Sequence, residues 1–67
     1  MKASMMSSNE IKAYKAGLEH GKRYGVPEAE QNIKLFLRLE DLPVDEFTMK
    51  AFCSGATDGF LMREEMK

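Results

Sequence analysis

Residues 13–21 read AYKAGLEHG, and residues 51–59 read AFCSGATDG. Gly17 and Gly21 stand four positions apart in the first stretch, Gly55 and Gly59 in the second, and Ala13 and Ala51 extend each row backwards. Both stretches otherwise carry helix-forming residues. An interior helical glycine costs about 1 kcal/mol relative to alanine, so four cost about 4 kcal/mol, a large share of what a small domain holds. Something has to offset that cost. Small residues repeated every fourth position line one side of a helix and let another backbone come close, so Ala13, Gly17, Gly21, Ala51, Gly55 and Gly59 are the expected helix–helix packing residues. The competing reading makes Gly21 a helix end and Gly55 a break in a third helix. Ile11–Gly21 and Met49–Gly59 share four of eleven residues, a level that chance also produces, so the case for two helices solving one steric problem rests on the shared placement of small residues and an aromatic.

The residues that flank these stretches supply starts and stops. Ser7, Ser8 or Asn9 can cap a first helix and Glu10 suits its positive end. Lys22 and Arg23 suit the other end, and Gly25 followed by Val26 and Pro27 stops it. Ile11, Tyr14, Leu18, Gly21 and Gly25 fall on one side of that helix. Pro27 reads as the first turn of a second helix, whose apolar residues form two sides: Ala29, Ile33, Phe36 and Leu37 on one, Leu35, Leu39 and Leu42 on the other. Pro43 separates it from a third helix, which Asp41 or Asp45 can cap. Val44, Thr48, Ala51, Phe52, Gly55, Gly59 and Met62 share a broad side of that helix. The expected fold is all-α, a three-helix up-down-up bundle with helices near 8–24, 27–40 and 44–64, self-associating because the second helix needs covering twice. Residues 1–6 read as a disordered tail and 7–67 as a single helical domain.

The chain has 67 residues and one cysteine. A domain this small buries only about 60% of its unfolded surface and needs outside support. One cysteine cannot form an intrachain disulfide, and His20 with Cys53 makes too few ligands for structural zinc, so association is the remaining source of stability. Nothing resembles a signal peptide or a membrane span, which makes the cytoplasm the default location and leaves no membrane partner. Net charge is −1, unevenly spread. Residues 1–25 hold five bases and two acids, and residues 26–67 hold five bases and nine acids, which suits two complementary halves that dock on each other or on a second copy.

The sequence offers little chemistry. His20 projects away from the Ile11–Leu18 side and reads as exposed. Cys53 reads as packing. The paired carboxylates sit at helix ends, where capping explains them. No phosphate loop, calcium loop or nucleophile–base order is present. No catalytic residue, metal ligand or cofactor is assigned. Lys15, Lys22 and Arg23 are candidate phosphate contacts, but the second helix is too leucine-rich and acidic for a recognition helix, which argues against nucleic acid. The reading is a non-enzymatic helical module, a regulator, inhibitor or adaptor that binds another protein, of the kind found among accessory proteins of phages and mobile elements. Leu35, Leu39 and Leu42 are its candidate partner or oligomer surface. A small nucleic-acid-binding transcriptional factor and a structural subunit of a larger assembly are the alternatives.

Overall fold

The computed structural model describes residues 7–65, and the tail expected over residues 1–6 lies outside them. Three α-helices make up the described chain: α1 (Ser8–Tyr24), α2 (Glu30–Leu39) and α3 (Glu46–Glu65). No strand occurs among the described residues. The third helix runs unbroken through Gly55 and Gly59, so neither glycine is a break.

Local chemistry sets each boundary. Ser7 opens α1 with a reciprocal capping box: its hydroxyl accepts from the Glu10 backbone N–H at 3.2 Å, and Glu10 Oε1 accepts from the Ser7 N–H at 3.0 Å. Such a cap contributes about 1 kcal/mol. Gly25 closes the helix at φ 85°, ψ −169°, a conformation open only to glycine, while its N–H donates to the Gly21 carbonyl.

The second helix starts three residues later than the sequence predicts. Pro27 holds its predecessor out of the helical region, and Ala29 is extended at φ −118°, ψ 139°. The segment between Gly25 and Ala29 crosses from one helix to the next, and the first helical turn waits for Glu30.

The end of α2 explains a second difference. The Leu42 N–H donates to the Leu37 carbonyl at 2.9 Å and the Asp41 N–H to the Arg38 carbonyl at 3.0 Å, with Asp41 left-handed at φ 59°. This is a Schellman turn with aspartate where glycine is usual, and its characteristic apolar contact falls between the residues here occupied by Leu42 and Leu37. Leu42, expected on an exterior surface, is therefore only 8% exposed and belongs to the core with Leu37, Ile33 and Phe52.

Asp45 opens α3. One of its carboxylate oxygens accepts from both the N–H and the hydroxyl of Thr48 at 2.8 Å. Thr48 is 1% exposed, so this carboxylate satisfies a buried hydroxyl as well as a free helix N–H. Those hydrogen bonds hold the Asp45 carboxyl below the usual aspartate range.

The main packing is α1 against α3, and α2 rests more lightly on them. Gly17 lies against the carbonyl of Phe52, Gly21 against that of Ala56, Gly55 against that of Tyr14 and Gly59 against that of Leu18. The numbers rise together along both helices, so α1 and α3 run parallel.

Candidate interaction surface

The geometry of the interlock decides which side chains remain available. A methyl group placed on Gly17 would stand 2.9 Å from the Phe52 carbonyl carbon, and one on Gly21 would stand 2.7 Å from that of Ala56, with the carbonyl oxygens nearer still. The two helices thus touch backbone to backbone, which glycine permits and no other residue does. Such an approach suits weak Cα–H···O contacts between helices.

The contacts also obey a symmetry. Adding 38 to a residue of α1 gives its counterpart on α3: Gly17 becomes Gly55, Gly21 becomes Gly59 and Tyr14 becomes Phe52. Gly17 meets Phe52 and Ala56, and Gly55 meets Tyr14 and Leu18, which are their counterparts in reverse. The pair is therefore related by a local two-fold axis running along the helices. The same 38-residue offset separates the AYKAGLEHG and AFCSGATDG stretches.

A backbone-close pair pushes its larger side chains onto two opposite faces. At about 100° per residue, Ala16, His20 and Arg23 point to one face, and Ile11, Tyr14 and Leu18 point roughly opposite. On α3, Met49, Cys53 and Ala56 share the first face, while Phe47, Ala51, Asp58 and Met62 share the second. The second helix covers the first face only: Phe36 stands 4.3 Å from the His20 ring and 6.1 Å from that of Phe52. The second face is the two-fold counterpart of the covered one, and no described residue lies over it. Ile11, Phe47, Leu61 and Met62 are exposed there, Phe47 to 65%. Tyr14 bridges the seam by donating its hydroxyl to the Asp58 carboxylate, and that hydrogen bond holds the phenol above its ordinary range.

The covered face corrects the expectation for His20. The ring is partly buried against Tyr24, Phe36 and Phe52, with centroids 5.1, 4.3 and 5.5 Å away. Desolvation lowers its pKa from the ordinary histidine range, which favours the neutral imidazole as one member of an aromatic cluster. The sequence missed this because the helix turns its glycine row, and not its Ile11–Leu18 side, toward the neighbour. Cys53 is half-buried beside α2, and burial pushes its thiol up, which disfavours the nucleophilic thiolate.

The remaining candidates are dispersed. Leu35 and Leu39 stand on the outer side of α2, 51% and 70% exposed, separated from Leu42 in the core. Lys15 and Arg23 are exposed on α1, and Lys22 lies 3.8 Å from Glu19. Ala13 and Ala51 are buried along the interlock. Among the described residues no group of three histidine, cysteine or acidic side chains is placed to hold a metal ion, and no helix is long and apolar enough to cross a membrane. The chain matches no protein-family model, no curated protein and no solved structure.

Proposed function

We propose that this chain is a non-enzymatic protein-interaction module, a regulator, inhibitor or adaptor that works by binding another protein, built as an up-down-up bundle that also self-associates. The observation that carries the reading is the distribution of exposed apolar side chains. Phe47, Leu39, Leu35 and Leu61 are each more than half exposed, and scattered single residues are ordinary whereas grouped ones mark contact surfaces. Here they form two groups, the outer side of α2 and the face of α1 and α3 that α2 leaves open.

The up-down-up arrangement is supported by the neighbours of α2. Asn32, near its start, shares a pocket with His20 and Tyr24, whereas the pocket that Glu40 lines, just past its end, extends from Tyr24 back to Ala16 and Glu19. Advancing along α2 therefore retreats along α1. The two groups most suited to chemistry, His20 and Cys53, are both engaged in packing, which favours binding over catalysis.

The outer side of α2 is the surface offered to the other protein. Affinity capture from the native host tests this, using the wild-type chain beside a Leu35→Lys/Leu39→Lys variant. A protein retained by the wild type and lost by the folded variant is the expected result. Equal retention by both, or retention by neither, overturns the reading.

A further inference from the structure

We infer that the open face of α1 and α3 is covered by a second copy of this chain, related by a two-fold axis that runs along the helices and sets α1 of each copy on α3 of the other. The inference rests on the reading that the chain self-associates, and adds the face, the symmetry and the pairing.

Charge selects the occupant. Helix α1 carries four bases and two acids, and α3 carries two bases and four acids. On the open face the charged groups are Lys15 and Lys22 from α1, with Asp58, Glu65 and, at the outer edge, Lys50 from α3. One face thus holds a basic half and a net acidic half side by side. A surface of that kind is complementary to itself.

Charge also selects the symmetry. Two copies can meet face to face about an axis along the helices or about one across them. The axis across the helices sets α1 on α1 and α3 on α3, bringing bases to bases and acids to acids. The axis along the helices sets basic α1 on acidic α3 at both contacts. It also brings Ile11 and Leu18 of one copy over the apolar strip of Phe47, Leu61 and Met62 of the other.

With 17 and 20 residues, α1 and α3 are about 25 and 30 Å long, and because their backbones touch, the face they share is about 16 Å wide, so two copies bury on the order of 800–1,000 Å² in total. That is the size of a weak or transient interface, so the dimer is expected to be concentration-dependent.

Sedimentation velocity on the purified chain, from micromolar to sub-millimolar, tests the inference together with three variants whose helicity is checked by circular dichroism. The wild type is expected to dimerise as its concentration rises across that range. Phe47→Glu, at an exposed position, should weaken the dimer by roughly tenfold or more, since each copy contributes the residue once. Lys15→Glu/Lys22→Glu and Asp58→Lys/Glu65→Lys should each fail to self-associate, and their equimolar mixture should restore a heterodimer. If Phe47→Glu loses helicity, Leu61→Glu takes its place. A monomer at every concentration overturns this inference and the self-association reading together. A dimer indifferent to Phe47→Glu and broken by Leu39→Lys overturns this face and leaves self-association standing. Charge-reversed variants that dimerise normally, or a mixture that does not recover, overturn the pairing of α1 with α3.

Discussion

Replacing Gly21 with alanine sets two effects of known size against each other. Helix propensity alone favours alanine by about 1 kcal/mol. The new methyl carbon, however, would stand 2.7 Å from the Ala56 carbonyl carbon and 2.9 Å from its Cα, with the oxygen closer. Carbon atoms rest at about 3.5–4.0 Å, so the helices must separate by about 1 Å. The obstacle is backbone and cannot rotate away. Because both helices are stiff, opening them at Gly21 also loosens the contacts at Gly17, Gly55 and Gly59. A gap of 0.5–1 Å forfeits about a quarter to a half of the dispersion energy at each contact, and overpacking of this kind costs about 3 kcal/mol. The expected net loss is about 2 kcal/mol, or about 8–16 °C in melting temperature for a domain of this size. Thermal melts followed by circular dichroism at 222 nm would measure it, with Ser54→Ala on the exposed side of α3 as the propensity control. A Gly21→Ala chain that melts at or above the wild-type temperature would refute the backbone-contact account.

Three further outcomes follow from the helix ends and the aromatic cluster. Asp41→Gly should stabilise the chain by about 0.5–1 kcal/mol in urea titrations, because glycine takes the left-handed position without the strain a side chain brings. Asp45→Ala should lower the melting temperature by removing the partner of the buried Thr48 hydroxyl. Since the folded Asp45 pKa is depressed, its contribution is present above the usual aspartate range and fades as the pH falls through the folded value, a dependence the variant should lack. The lowered His20 pKa has a matching sign: the unfolded chain takes up its proton first, so stability holds above about pH 6.5 and declines as pH falls from there through the folded value. Urea midpoints at neutral and mildly acidic pH should differ in the wild type and differ less in His20→Phe. The ionisable neighbours in the same pocket, Glu19, Arg23 and Glu40, remain in both chains.

Helix existence was legible in the sequence because its signals are local. Ser7 with Glu10, Gly25 before Pro27, and Pro43 each act within a turn of the backbone. The four-residue spacing of the glycines could be read as a demand for close approach. What it could not convey is which helix answers, or that each glycine meets a carbonyl of a helix holding the same pattern. The start of α2 falls later than the sequence predicts because Pro27 fits a first turn and an extended crossing equally well, and only the path to the next helix decides. Periodicity points Leu42 outward because it assumes that the helix continues. The left-handed turn at Asp41 ends it and swings Leu42 into the core. The Ile11–Tyr14–Leu18 side presented the opposite problem. It reads as a core face, and its apolar character is real, but α2 occupies the counterpart face instead.

The parallel pairing of α1 and α3 also bears on how the chain acquires its structure. Gly17 and Gly21 meet partners thirty-five positions further along the chain, more than half of its length. Helical proteins of this size usually form through neighbouring contacts and fold quickly, whereas here the central contact joins the first helix to the last. As the chain leaves a ribosome, α1 emerges with its row of glycines bare and gains no partner until Phe52 and Ala56 have followed. A chain cut before Gly55 should show little cooperative melting despite retaining two complete helices, and refolding should be slower than the helical content alone suggests.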